Sequence, residues 1–440
     1  MPLLAIRFLV FAALFSASKL FAAESLNLKQ TIGMALSNAT PVKQSNINLD
    51  LAKYAQDDAD ASYYPKLVAN VAAGATGQNP SADGTESPAR TSHAGIQLSQ
   101  SILDDGARSL KSKTASISEQ KAKLVSTDDR NKLILDVTTT FIDLSIAAVE
   151  LSAKEESLKE LTLQASESLM AMRQGIKPKR DHQRVETELE RQRLAVTVAE
   201  DRLTNVRSRL CALVSPQTGG VGCQPFVPLT AAESLGFDNT KISKIDNDKS
   251  LLAERLALEA QTLSLQTEFE RNHVYWPSLS LDAVAGYGTD HFWGPGKTQF
   301  YDTLNTTWSV QLSVNYTLWD AGTARRKVAT ASLTEQLKAL EREQALTQRS
   351  TMVLELERTL KQAANNLALS TKILRMDKDT YDTSVTDYRQ GRIGYFELND
   401  VREKLLQSRV GVAQSYFTAL QKLWEHSFYS GEIYEAYEKI

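Results

Sequence analysis

Proline and glycine are missing from two long stretches of this 440-residue chain. Neither residue occurs between Ala107 and Gln174 or between Thr323 and Gln390, and no proline follows Pro295. Both stretches are rich in Ala, Leu, Glu, Lys, Gln and Arg, with apolar residues every three or four positions, which predicts continuous helices. A helix of about 65 residues is roughly 100 Å long, several times the diameter of a compact domain.

The chain also lacks the residue clusters that enzymes and nucleic-acid-binding proteins use. Its five histidines show no metal-ligand spacing such as HExxH, and Gly286-Tyr-Gly288 has His291 where a nucleotide loop needs a third glycine. The formal net charge is −3, from 50 basic and 53 acidic residues, without a basic stripe among aromatics. We therefore expect no enzyme activity, no metal, no cofactor and no nucleic-acid partner.

Cysteine is scarce. The only two, Cys211 and Cys223, flank a loop rich in proline and glycine. In an oxidising compartment this spacing predicts a disulfide between them. Two unpaired buried thiols are the alternative.

The first 23 residues have the pattern of a secretory signal peptide. Arg7 precedes an apolar run too short to span a bilayer, and small residues follow it. The pattern allows cleavage after Ala22 or Ala23, and no cysteine follows directly to carry a lipid anchor. We expect the mature protein to be exported.

Two short motifs recur in the second half of the chain. Arg173-Gln174-Gly175 returns as Arg389-Gln390-Gly391, and Leu103-Asp-Asp-Gly106 returns in looser form as Trp319-Asp-Ala-Gly322. The spacing between the two motifs is identical in both copies, so one structural unit is written twice. Glycine suits the left-handed turn that ends a helix, and a second helical pattern follows each Arg-Gln-Gly. Each copy is therefore predicted to contain a helical hairpin.

Between the helical stretches the hydrophobic period changes to 2. Four segments alternate apolar and polar residues, namely 66–76, 93–103, 278–288 and 306–318. A soluble sheet over a core is the ordinary interpretation of one such segment. The export signal and the excessive length of the helices favour a transmembrane β-barrel instead. Four strands cannot close in lipid, so two, three or four copies would have to share one barrel.

Taken together, these features resemble the TolC family of outer-membrane efflux proteins across essentially the whole mature chain. The motifs that carry the resemblance are Ser37-Asn-Ala-Thr-Pro41, Tyr63-Tyr-Pro65, Tyr275-Trp-Pro277, Leu318-Trp-Asp-Ala-Gly322 and the paired tip glycines. The resemblance implies an α+β membrane protein that forms a homotrimer. Its twelve-stranded β-barrel, with four strands from each protomer, would continue into a long periplasmic α-helical barrel.

Five segments follow from the duplication and the resemblance. They are a signal peptide (1–23), a first repeat (24–214), an inter-repeat linker (215–240), a second repeat (241–428) and a C-terminal tail (429–440). Each repeat is expected to hold a helix, two strands and a long hairpin, with tips near 175 and 391. The linker and the tail would form an equatorial belt.

Two carboxylates match positions where the family has an acidic ring at the pore constriction. Glu397 and Asp400 lie six and nine positions after Gly391. Repeated threefold, they would favour cations at a narrow mouth and disfavour anions. Without the resemblance, they also fit an ordinary solvated helix face.

Three further residues match the family's gate lock. Tyr388 lies three positions before Gly391, and Asp181 lies six after Gly175, where the family has the acceptor for the tyrosine and a nearby arginine. Arg392 lies one position after Gly391, whereas the family's arginine lies two after. This departure concerns the salt bridge that the resemblance implies between Arg392 and Asp181.

The first tip is basic. Lys177, Lys179 and Arg180 follow Gly175, which suggests that the tips, including both glycines, contact an adaptor. A solvated turn is an equal alternative.

The function implied is a passive, gated duct in the outer membrane, reaching into the periplasm of a Gram-negative cell. It would serve a tripartite efflux pump or a type I secretion system, with a periplasmic adaptor, an inner-membrane transporter and outer-membrane lipid as partners. The alternative is a periplasmic coiled-coil adaptor or structural protein. The cargo stays open among small molecules, metal ions and secreted proteins.

Overall fold

The computed structural model describes residues 26–76, 89–176, 178–214, 226–229, 250–273, 277–292 and 304–439. Within these residues the elements, in chain order, are α1 (Leu28–Asn38), α2 (Thr40–Ala61), β1 (Lys66–Thr76), β2 (Ala89–Asp104), α3 (Ala107–Arg173), α4 (Lys179–Val214), α5 (Leu251–His273), β3 (Ser278–Phe292), β4 (Leu304–Asn315), α6 (Thr323–Arg389), α7 (Tyr395–Ser430) and α8 (Ile433–Lys439).

The long helices confirm what the missing glycine and proline predicted. Helices α3 and α6 have 67 residues each, and the returning helices α4 and α7 have 36 each. We call α3 with α4 the first hairpin and α6 with α7 the second hairpin. Every boundary of the second hairpin is displaced from its equivalent in the first by one constant offset, the same that separates Gly175 from Gly391.

An aspartate fixes the start of each long helix. An Oδ atom of Asp104 accepts hydrogen bonds from the backbone N and the Nε of Arg108, at 2.8 and 3.0 Å. The carboxylate of Asp320 accepts from the backbone N of Gly322 at 2.9 Å and of Ala324 at 2.6 Å. These bonds satisfy N–H groups that have no partner inside the first helical turn.

The four strands form one antiparallel sheet in the order β1-β2-β3-β4. Directly opposed residues of an antiparallel pair point to the same face. The register aligns Leu67, Leu98, Ala283 and Val310 across the sheet, and likewise Ala69, Ile96, Ala285 and Trp308. The predicted alternation therefore produces one continuous apolar face, and Trp308 on that face is 77% exposed.

The strands differ from the predicted segments at their ends. Strand β2 begins four residues earlier than expected, at Ala89, and β3 continues to Phe292. Strand β4 ends at Asn315 rather than at 318. Asn315 pairs with Ser278, which is the first residue of β3 after Pro277, so residues beyond Asn315 have no β3 partner opposite them.

The chain divides into two compact units. The sheet unit comprises Ser45–Ser126 and Leu251–Thr347. Inside it, Lys121 in α3 forms an ion pair with Glu259 in α5 at 2.5 Å, and Ser112 in α3 donates to Asp60 in α2 at 2.7 Å. These contacts hold the helices of this unit to one another.

The hairpin unit comprises Met1–Gln44, Thr127–Ser250 and Gln348–Ile440. Its core packs α1 and the middle of α3 against α7 and the start of α8. Phe141 is fully buried and meets Phe226 edge to face, with ring centroids 6.4 Å apart. Phe226 and Val227 belong to the predicted linker, and Val227 N donates to Leu26 O at 3.0 Å. The rest of the linker, apart from the residues just before Thr230, lies outside the described residues.

Among the described residues, no helix is both long enough and apolar enough to be a membrane span.

Candidate functional site

Both hairpins turn through the same backbone motif. Gly175 and Gly391 each have φ +72°, the left-handed conformation that glycine adopts without strain. In the first turn Gly175 N donates to Met172 O and Ile176 N donates to Ala171 O, at 3.0 and 2.9 Å. The second turn repeats this Schellman pair of bonds at 3.0 and 2.9 Å. The Arg-Gln-Gly motifs thus end their helices in identical geometry.

The predicted pore carboxylates lie together on the exposed side of the second tip. Glu397 is in the first turn of α7, and Asp400 follows one turn later on the same face. Both side chains are exposed. Asp400 accepts a bond from Lys404 Nζ at 2.6 Å, and this contact raises the pKa of Lys404. Asp400 is therefore partly neutralised by its own helix, whereas Glu397 is the less compensated charge.

The residues of the predicted lock occupy both tips. Asp181 is half-buried in the first turn of α4. Tyr388 is half-buried near the end of α6, within electrostatic range of Tyr395. Arg392 bonds to Asp387 within its own tip, from Nη1 to Oδ1 at 3.1 Å. In this conformation Arg392 therefore reinforces the second turn, and the lock through Asp181 stays a prediction.

The basic residues of the first tip face solvent. Lys179 and Arg180 are exposed, and Lys177 lies outside the described residues. Arg184, one turn further along α4, places its guanidinium 4.5 Å from the ring centroid of Phe396 in α7. Such a cation–π contact connects the two hairpins close to their tips.

Two more polar contacts join the hairpins further from the tips. Tyr381 in α6 donates from its hydroxyl to Glu160 Oε2 in α3 at 3.2 Å. Arg409 in α7 forms an ion pair with Glu156 in α3 at 2.6 Å. Burial and the charge of Glu160 raise the pKa of Tyr381 to about 12. Its hydroxyl therefore remains a proton donor at any pH that a cell experiences.

Arg402 in α7 is a further polar residue near the tip, and its side chain is only 6% exposed. One of its nitrogens, Nη2, donates to Asn399 Oδ1 at 2.5 Å. Burial also raises the pKa of the neighbouring Tyr395 hydroxyl, while the positive charge of Arg402 acts in the opposite direction. We call Glu160, Tyr381, Tyr395, Asn399 and Arg402 the polar cluster, in which Arg402 is buried and the others are half-buried.

Sequence reasoning did not find this cluster. Tyr381 and Glu160 are 221 positions apart, and Arg409 and Glu156 are 253 apart. No motif spacing connects residues at such separations in a single sequence. The one signal in the sequence is a charged residue on an apolar helix face. Arg402 follows Leu398 by one turn on the buried face of α7, and Leu405 and Leu406 come next.

Cys211 is disulfide-bonded. Its predicted partner Cys223 lies outside the described residues, so that pairing stays a prediction. Within the described part of the chain, no group of three or more His, Cys, Asp or Glu side chains could hold a metal ion.

Comparison with known proteins found one family model and several solved structures of the same fold. Residues 31–215 match the family model described as outer membrane efflux protein. The fold is similar to the CmeC outer membrane channel of Campylobacter jejuni, with a TM-score of 0.77 and 15% identity over 92% of this chain and 86% of that one. No curated protein matches the sequence.

Two further solved structures have the same fold. The MtrE outer membrane channel of Neisseria gonorrhoeae, solved in its open state, has a TM-score of 0.74 and 17% identity over 92% of this chain and 89% of that one. The outer membrane protein VceC of Vibrio cholerae has a TM-score of 0.73 and 13% identity over 92% and 96%. At these identities the similarity concerns the fold, which confirms a mostly helical chain with a four-stranded antiparallel sheet. The trimeric barrel stays a prediction.

Proposed function

We propose, from the match of residues 31–215 to the family model described as outer membrane efflux protein, that this chain is the exit duct of a tripartite efflux pump or a type I secretion system. The chain acts at the outer membrane and extends into the periplasm. The family is one of efflux channels rather than of enzymes. Three copies would supply the twelve strands that close the barrel in lipid.

One observation carries this proposal beyond the family match. The chain combines two long hairpins with a four-stranded sheet whose apolar residues are aligned on a single face. Apolar side chains such as Val310, Leu312 and Val314 in β4 are 60–65% exposed on this chain alone. Lipid is the environment that would cover such a face. A periplasmic adaptor, the alternative, would ordinarily have one hairpin and a water-facing domain.

The proposed duct is passive and depends on partners. An adaptor would contact the two tips, where Gly175 and Gly391 shape the turns and Lys179 adds positive charge. An inner-membrane transporter would provide the energy. The gate would involve Tyr388, Asp181 and Arg392, and the cation-selective mouth would be formed by Glu397 and Asp400.

The acidic mouth is testable with the purified chain in planar lipid bilayers. We expect Glu397→Gln with Asp400→Asn to weaken block by multivalent cations, because six carboxylates would leave the mouth of a trimer. Lys404→Met should strengthen block, since it frees Asp400 from its ion pair. Glu190→Gln is the matched control, because Glu190 is an exposed carboxylate of the first hairpin paired with Arg193.

Two results would contradict the proposal at different levels. Unchanged block in the double variant would remove Glu397 and Asp400 from the mouth. Recovery of the chain only from the soluble periplasmic fraction, without heat-resistant oligomers in outer-membrane extracts, would reject the duct and favour the adaptor.

A further inference from the structure

Arg402 is a buried cation that the proposed mouth and lock do not use. Its Nη2 bonds to Asn399 Oδ1 and lies 4.0 Å from Glu403 Oε1. Its Nε and Nη1 are buried without a hydrogen-bond partner. The hydroxyl of Tyr395 lies 3.5 Å from the same oxygen of Asn399. One amide oxygen therefore serves two donors while two N–H-bearing nitrogens of the guanidinium have none.

This arrangement is unfavourable for a buried guanidinium. Arginine stays charged at every physiological pH and carries five N–H donors that suit a carboxylate. A buried charge without a bonded counter-ion costs several times more free energy than a neutral group in the same place. The conformation in this structure is therefore destabilised at Arg402, and a movement that brings a carboxylate to Nε and Nη1 would relieve the cost.

Glu160 of the facing hairpin is the carboxylate that helix geometry brings towards Arg402, because Arg402 lies two turns before Arg409 on one face of α7, Arg409 pairs with Glu156, and Glu160 lies one turn after Glu156 in α3. It now accepts the hydroxyl of Tyr381 at 3.2 Å. Arg402 and Glu160 both act electrostatically on that hydroxyl, Glu160 raising and Arg402 lowering its pKa. Tyr381 thus lies within range of both charges. Its hydroxyl uses one oxygen of that carboxylate, Oε2, in this structure.

We propose that Arg402 and Tyr381 compete for Glu160, so that the second hairpin has two bonded positions against the first. Tyr381 holds Glu160 in the position seen here. In the other position Glu160 passes to Arg402, whose buried donors are then satisfied. This inference rests on the proposed duct function, because it assigns the exchange to movement of the tips between open and closed states.

The exchange predicts opposite effects from its two donors. Arg402→Met removes the buried cation and favours the Tyr381-bonded position, whereas Tyr381→Phe releases Glu160 and favours the Arg402-bonded position. We expect the two variants to shift the open probability of single channels in bilayers in opposite directions, by about fivefold or more each. The two shifts of open probability have opposite signs whether the channel conducts in the Tyr381-bonded or in the Arg402-bonded position.

Two additional variants separate this exchange from general disruption. Glu160→Gln keeps an acceptor for Tyr381 but removes the charge that Arg402 requires, so it should act in the same direction as Arg402→Met. The double variant Glu160→Gln with Arg402→Met should shift the open probability no further than either of these single variants. Arg193→Met, at an exposed arginine of the first hairpin, is the control and should leave it unchanged.

Thermal unfolding of the purified oligomer gives an independent measurement. Arg402→Met should raise the unfolding midpoint by about 2 °C or more, because an apolar side chain of similar volume replaces an unsatisfied charge. A lower midpoint, or shifts of open probability in the same direction for Arg402→Met and Tyr381→Phe, would overturn the proposal. If the wild-type chain conducts no ions, the proposed duct is refuted. The unfolding midpoint of Arg402→Met would still test whether Arg402 destabilises the position seen here.

Discussion

The two hairpins have the same backbone and different side chains. Under the constant offset between the two copies, the buried Phe141 and Ile142 of the first hairpin correspond to Glu357 and Arg358 of the second. The first hairpin provides a large part of the core of its unit, with α1, the described linker residues and α7 packed on it. Helix length and turn geometry are therefore set by glycine and capping aspartate, and remain the same while the packing surfaces diverge.

The tips diverge in charge as well. Asp181 of the first tip is the equivalent of Glu397, so one carboxylate is common to both. Asp400, however, corresponds to Arg184, whose guanidinium lies over the ring of Phe396. The duplication has thus produced one basic and one acidic tip from a single template. In the trimer that we propose, three tips of each charge would be present.

The largest expected effect tests the difference in packing. Ile142→Ala should lower the free energy of unfolding by about 2–5 kcal/mol, because the fully buried side chain leaves a cavity in the core. Arg358→Ala, the equivalent change in the second hairpin, should alter it by less than about 0.5 kcal/mol because Arg358 is exposed. Denaturant unfolding in detergent measures both. Equal losses would show that the second hairpin is packed as tightly as the first.

A smaller effect tests the identity of the two turns. Gly175→Ala and Gly391→Ala should each destabilise their tip by about 1 kcal/mol, because alanine is strained at φ +72° although no atom lies within 4 Å of the added Cβ. Hydrogen exchange at the amides of Ile176 and Arg392 reports this locally. If only one tip exchanges faster, the shared geometry is not what stabilises both turns.

The smallest effect concerns one buried histidine. Burial lowers the pKa of His426, against the opposing influence of Glu357 and Glu432, and its first-hairpin equivalent is the buried Leu210. The unfolded chain binds the proton more readily, so stability should decline as pH falls below about 6.5. His426→Leu should reduce this decline, measured as the difference between unfolding midpoints at neutral and acid pH. An identical decline in the variant would assign the acid sensitivity to other groups.

The sequence predicted the helices and the turns because their signals are local. Long runs without glycine or proline, and Arg-Gln-Gly at each end, carry the geometry in consecutive residues. The strand ends were less accurate, since β4 stops where β3 offers no partner, and pairing between distant segments determines that point. The cluster around Arg402 was beyond sequence reasoning because its members come from helices that meet only after the two hairpins pack together.

The equal length of α3 and α6 has a consequence for how the chain can evolve. A single inserted residue would advance everything beyond it by about 1.5 Å and rotate it by about 100° around the helix axis. The side chain of Tyr381 would then point away from Glu160, with which it now forms a hydrogen bond. Changes in length should therefore be tolerated only if both copies acquire them together or in whole helical turns. The 67-residue length of the two helices thus tolerates substitutions far more readily than insertions.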